Sequence, residues 1–251
     1  WGRRIAADPK ALDALNIPAP GDATDARRLS QNFDETVSRR VAYLTGYQDA
    51  AYAARYRERV EQARAAEAAK APDKCGLAEA VARNLFKLMA YKDEYEVARL
   101  FSDGAFLRQA AAEFDGKLRF TFHLAPPLLA KRDPATGEPR KMTFGPWMMR
   151  GFGLLAKLKF LRGTAFDPFG CSEERRSERR LIAEYEAMLD EVLAKLTPDN
   201  HHLAVGIAAI PEKIRGFGHV KARHLAAAKA DEAALFDQFR SGSPHLLKAA
   251  E

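Results

Sequence analysis

Apolar positions along this chain recur mostly at the three-and-four spacing of amphipathic helices, and one short stretch alternates as a strand does. Phe33, Val37, Val41, Leu44, Gln48, Ala51 and Arg55 follow one helical track, opened by Asn32 and Glu35 at capping-box spacing. The stripe drifts toward Tyr47, Tyr52 and Tyr56 and fades into an Ala/Glu-rich run before Pro72. One long helix packing on more than one neighbour is expected. A second runs from about Leu77 to Phe101, with Val81, Leu85, Phe86, Leu88 and Met89 on a wide apolar face. Ser102-Asp103-Gly104 interrupts it, and a further helix reaches Phe114 ahead of Gly116. Leu118, Phe120, Phe122 and Leu124 then alternate with Arg119, Thr121 and His123, the period of a strand. Pro126-Pro127 ends it. The turn residues Asp133 to Pro139 point to a β-hairpin with a solvated tip, within about residues 118–144.

Gly145-Pro146 opens a helix from Trp147 to about Leu161, followed by an irregular connection from Arg162 to Gly170. Ser172 caps the next helix, with Glu173 and Glu174 at its positive end and Leu181, Tyr185, Met188, Leu189, Val192 and Leu196 along its apolar side. Thr197-Pro198 starts a short helix that Pro211 ends. After Gly216-Phe217-Gly218 a last helix runs from about Val220 to Phe239, and the tail from Ser241 is expected to be loosely held. At the other end, Trp1 to Ala7 reads as a helix end, Asp8-Pro9 starts a short helix, and Ile17 to Arg28 reads as a surface connection. The fold expected is mainly α with one small antiparallel β element.

The length of 251 residues permits one large domain or two small ones. Apolar residues at 47% and charged residues at 29% fit a folded globular protein and not a disordered one. No secretory signal or membrane span is visible: the most apolar helix, Trp147 to Leu161, is interrupted by Arg150, Lys157 and Lys159. Trp1-Gly2-Arg3-Arg4-Ile5 reads as the middle of a helix, so the start is expected to be a cut in a longer polypeptide. The net charge of +6 is interspersed with acids, which leaves an anionic cofactor or an acidic partner open. No zinc-finger spacing or RNA-binding aromatic motif accompanies it, so nucleic acid is not expected. Cys75 and Cys171 lie far apart and form no CxxC pair. They suit a reducing compartment, with one disulfide left open.

Several groups of residues are candidates for chemistry. Lys92, Asp93, Glu94 and Glu96, with Tyr91 and Tyr95 nearby, could transfer protons. They read first as an ionic network or solvated face. His123, on the polar side of the strand, could face an active site as an acid/base or simply hydrogen-bond a backbone carbonyl. His201 and His202 are adjacent and point about 100° apart, a poor chelating pair read as surface or capping residues, and adding His219 and His224 gives no metal spacing. Arg215, Gly216, Gly218, His219 and Lys221 form the best anion site, a glycine turn before a helix N-terminus, although a lone GxG also suits a tight turn plugged by Phe217. Met148, Met149, Phe152, Leu154, Leu155 and Leu158 read as a core or interface stripe, with a membrane-surface helix as the alternative. No nucleophile motif or catalytic constellation is visible.

Recognition of whole runs adds to this. Glu79 to Leu100 (EAVARNLFKLMAYKDEYEVARL) resembles the C-terminal region of the large, fused indolepyruvate:ferredoxin oxidoreductases of bacteria. So do Phe122 to Leu129, Arg132 to Gly137, Phe144 to Trp147, Gly163-Thr164 with Phe166 to Gly170, Ile182 to Glu186, and Ile214 to Gly218. These runs fall in collinear order between about Leu29 and Ala227. The resemblance implies a cytoplasmic 2-oxoacid oxidoreductase, a homo-oligomer, that decarboxylates arylpyruvates on thiamine diphosphate and Mg. It passes electrons through [4Fe–4S] clusters to ferredoxin and forms an acyl-CoA. Those cofactors belong to other regions of the parent: the cluster cysteines and a thiamine diphosphate motif are not found here, and no family catalytic residue carries over. Residues 1–28 are then expected to be the closing helix of a preceding transferase-like domain and a linker. Residues 29–240 would be a helical accessory domain, and 241–251 a loose tail. A stand-alone module that holds a phosphorylated ligand such as CoA at Arg215 to Lys221 is the alternative.

Overall fold

The computed structural model describes residues 29–114, 116, 118–125, 140–216 and 218–241. The expectations for residues 1–28, for the hairpin tip, for Phe217 and for the tail beyond Ser241 lie outside these. The chain divides into two compact units between Thr36 and Val37. Of the first, the described part is residues 29–36, which lead into and begin helix α1 (Phe33–Tyr47). There Asn32 Oδ1 accepts the Glu35 N–H at 2.8 Å and the Glu35 carboxylate accepts the Gln31 N–H at 2.7 Å. This is a capping box whose return arm lands one residue upstream of the cap.

The second unit is mainly helical with one two-stranded sheet among the described residues. After α1 come α2 (Ala50–Lys70), α3 (Leu77–Met89), α4 (Glu94–Ser102) and α5 (Ala105–Glu113). Strands β1 (Phe122–Leu124) and β2 (Met142–Phe144) pair antiparallel, with Phe122 opposite Phe144 and His123 opposite Thr143. Then follow α6 (Met148–Lys157), continued by a 3₁₀ turn (Leu158–Leu161), and α7 (Glu173–Ala194) and α8 (His201–Ala208). A second 3₁₀ turn (Ile210–Lys213) leads to α9 (Gly218–Ser241). Ser172 caps α7 as expected, accepting the Arg175 N–H.

Two long helices of the sequence reading are each broken in two. The track expected to run unbroken from Asn32 stops at Tyr47, and Asp49 restarts it by accepting the Tyr52 N–H at 2.8 Å. The helix expected from Leu77 to Phe101 stops at Met89, and Asp93 restarts it by accepting the Glu96 N–H at 2.8 Å. The strand is shorter than the alternation of Leu118 to Leu124, because only Phe122–Leu124 finds a partner.

α3 is the central helix. It packs on α2, α7, α8 and the second 3₁₀ turn, and buries residues on nearly every side, with Glu79, Arg83 and Lys87 left at the surface. Leu77, Val81, Leu85 and Met89 are wholly enclosed, each worth about 1.5–3 kcal/mol relative to exposure. A second core lies under α6, where Phe152, Phe122 and Ala98 are buried among Phe101, Phe120, Leu124, Phe144, Met148, Met149 and Leu155. The Phe101, Phe122 and Phe152 rings meet at centroid distances of 5.2–5.5 Å. α4 lines this core with Ala98 and Phe101, and its Tyr95 and Glu96 belong to a polar layer: Glu96 meets Tyr43 of α1, and Tyr95 meets Asp167.

Candidate functional site

That polar layer is built on Arg162, directly after the 3₁₀ turn that ends α6. Its guanidinium donates through Nε and a terminal nitrogen to both oxygens of Asp93, at 2.5 and 3.0 Å. The other terminal nitrogen donates to the Tyr47 carbonyl at 2.6 Å and to Gln48 Oε1 at 2.7 Å. The plane also lies 3.8 Å from the Tyr47 ring centroid. One side chain thus ties the N-cap of α4 to the C-terminus of α1, and both partners of the ion pair are almost fully buried. Burial pulls the guanidinium pKa down, and the hydrogen bonds to Asp93 together with its charge outweigh that, holding Arg162 above its ordinary value.

Glu96, buried beside Asp93, accepts two hydrogen bonds from Arg99 at 2.7 and 2.8 Å and one from the Tyr43 hydroxyl at 2.5 Å. Burial and this carboxylate push the Tyr43 phenol up to about 12. Tyr47 and Tyr52 are also raised by burial, and their hydroxyls donate to the Tyr91 and Met89 carbonyls at 2.9 and 3.0 Å. Those are carbonyls at and just beyond the end of α3, which a continuing helix would have satisfied. On the far side of α4, Tyr95 donates to Asp167, which also accepts the Gly163 and Phe169 N–H groups. A Cβ at Gly170 would sit 2.5 Å from Asp167 Oδ2, so only glycine fits there.

The Lys92–Glu96 cluster is therefore an ionic network, with one correction: its cations are Arg99, Arg162 and, at 3.5 Å from Glu94, Arg175, while Lys92 points to solvent. Tyr43, Tyr47, Tyr52 and Tyr95 donate through their hydroxyls, and Asp93, Glu96 and Asp167 each accept three hydrogen bonds, whereas the buried Glu94 Oε2 accepts none and lies 3.5 Å from Arg175. Asp93-x-x-Glu96 has capping-box spacing, the one signal that could have located the break. Nothing local marks Arg162, whose partners lie 69 and 115 residues earlier.

His201 is a second correction. It is buried, and its Nε2 lies 2.7 Å from Glu67 Oε1, while His202 is exposed. The same carboxylate accepts the Leu77 and Ala78 N–H groups at 2.8 and 3.0 Å. Gly76 offers α3 no capping side chain, so Glu67 caps it from the preceding helix. His123 stays on the exposed side of the sheet, 3.2 Å from Thr143 Oγ1 across the pair.

At the glycine turn, Gly216 and Gly218 take positive φ of 86° and 54°. Arg215 and His219 are exposed beside the N-terminus of α9, whereas Lys221 is ion-paired with Glu178 and so is not free to hold an anion. Arg215 Nε donates to the Glu212 carbonyl at 3.0 Å. Beneath the turn, Lys87 donates to the Pro211 and Ile214 carbonyls at 2.6 and 3.0 Å. Its pKa is lowered by burial and by Arg215. Leu154 departs from the expected α6 stripe: it is 65% exposed, while Met148, Met149, Phe152 and Leu155 pack inward. Cys75 and Cys171 are free, exposed thiols. Two thiols do not suffice for the four thiolates of a [4Fe–4S] cluster. Among the described residues no group of three or more His, Cys, Asp or Glu is placed to hold a metal ion.

Residues 33–234 match a protein family described as a family of unknown function (DUF6537). The chain belongs to that family. The DUF6537 match spans every residue of the Arg162 layer, the glycine turn and the outer face of α6. No curated protein and no solved structure matches the chain.

Proposed function

We propose that this DUF6537 chain is the helical C-terminal accessory region of a fused indolepyruvate:ferredoxin oxidoreductase. In this reading it is cytoplasmic, packs on the catalytic domains and has no catalytic site of its own. The observation that carries the reading is the set of collinear runs that resemble those enzymes. The arrangement of these runs supports an architectural role. Glu79 to Leu100 supplies Asp93, Tyr95, Glu96 and Arg99, and the run after Gly163 supplies Asp167 and Gly170, so separate signatures meet in one hydrogen-bonded layer. Such residues fix a shape rather than turn over a substrate. Thiamine diphosphate, Mg and the clusters then reside elsewhere in the polypeptide, which converts 2-oxoacids to acyl-CoA while reducing ferredoxin. Among the described residues no helix is long and apolar enough to cross a membrane.

The test is indolepyruvate- and CoA-dependent reduction of ferredoxin, measured with the intact polypeptide and with the 251-residue chain. Activity is expected only in the former. Turnover by the chain alone, or none by a fully loaded intact polypeptide, sinks the reading. The second reading, a module that holds CoA at the glycine turn, draws on exposed Arg215 and His219. Calorimetry with CoA before and after Arg215→Ala decides it, and binding indifferent to that change removes it.

A further inference from the structure

Trp147, Arg150, Leu154 and Lys157 recur at three- and four-residue spacing, so they share the side of α6 turned away from Phe152. Trp147 and Leu154 are 63% and 65% exposed, and Phe160, on the 3₁₀ turn that continues α6, is 63% exposed. The charge of this region is one-sided. Residues 139–166 hold six basic side chains and no acid. Two of the six turn inward: Lys159 donates to the Gly46 carbonyl at 2.6 Å, and Arg162 to Asp93. Lys141, Arg150 and Lys157 are exposed and have no ion pair among the described residues.

We propose that this face docks onto a protein surface that presents carboxylates beside an apolar pocket, and that the surface belongs to the preceding domains of the same polypeptide. The identity of those domains rests on the reading above. An exposed tryptophan with a neighbouring arginine has the composition of an interface anchor. The unpaired cations beside it require negative charge from whatever covers them. A second copy of the chain does not supply it, because a two-fold contact through this face sets its cations against their own kind. An anionic membrane is the poorer fit. α6 is about 15 Å long. Its cations flank Trp147 and Leu154 on one side only, whereas a helix lying in a bilayer surface needs a broad apolar face.

The experiment places a cysteine in this face of the intact polypeptide. L154C is alkylated with iodoacetamide, and its rate, read by peptide mass spectrometry, is compared with that in urea; the native thiols Cys75 and Cys171 are followed in parallel. Docking predicts L154C protection of about tenfold or more, lost when R150E and K157E are added. Full reactivity overturns the proposal, as does protection that survives both charge reversals. Protection that disappears on dilution assigns the face to a second copy, and protection that arises only with phosphatidylserine vesicles assigns it to a membrane; either overturns it. Ferredoxin reduction is assayed on the same samples. Protection without that activity leaves the docking face standing and removes the oxidoreductase reading, and activity without protection does the reverse.

Discussion

Arg162 is where most of the polar layer turns. It makes hydrogen bonds to Asp93, Tyr47 and Gln48 and stacks on Tyr47, and both it and Asp93 are almost wholly buried. A buried ion pair contributes little net stability over an apolar replacement, yet removing one partner strands the other. Arg162→Ala is therefore expected to cost about 3–5 kcal/mol, read as a lowered denaturant midpoint. Arg162→Lys restores the charge but not the planar fork that reaches both Asp93 oxygens and the Tyr47 carbonyl, and should recover only part. A loss below about 1 kcal/mol for Arg162→Ala would mean that water reaches Asp93 and that the layer is not sealed. The sequence carries no mark of this residue's role, since its meaning lies in partners far away in the chain. Asp93 was legible as a carboxylate in an apolar helix, but its capping role was hidden by a helical period that continues on both sides.

At the scale of elements, periodicity identified the helices and misjudged where they stop. Gln48 sits on the apolar track of α1, yet in the fold it is a loop acceptor for Arg162. A break is invisible to periodicity when the next helix resumes nearly in phase, and Asp49 and Asp93 both restart helices in that way. α9 shows a different dependence. It is joined to α7 by Lys221–Glu178, Lys229–Glu184 and Arg240–Glu191. Hydrogen bonds from Arg240 and Lys195 hold the Glu191 carboxyl down at about 2, against an ordinary value of 4.5. A depressed carboxylate stabilises the fold above its unfolded value and loses that contribution as acid protonates it. The C-terminal half of α9 should therefore lose hydrogen-exchange protection as pH falls from 4.5 toward 2, before α3 does. Glu191→Gln should abolish the acid step. Equal protection of α3 and α9 across that window would show that the ion pair does not hold this end.

For the molecule as a whole, a mainly helical chain with one small antiparallel element could be read from alternation and helical spacing. The separate aromatic core under α6 could not. It depends on α6 folding back over Ala98 and Phe101, a pairing set by packing between segments far apart in the chain. The distances at which partners sit along the chain also bear on when each contact forms. Glu67 caps α3 across only 10 and 11 residues, and α2 packs directly on α3, so this pair closes a short loop. Arg162 must instead bring together groups 69 and 115 residues apart. The chain's assembly is therefore expected to begin with the α2–α3 hairpin and to end with the closing of the Arg162 layer. Measured φ-values should be high for Val60→Ala and Leu85→Ala and near zero for Phe152→Ala, and the reverse order would refute it. Glu67, noted above as a borrowed cap, is then a clock as well: α3 is complete only after α2 has arrived.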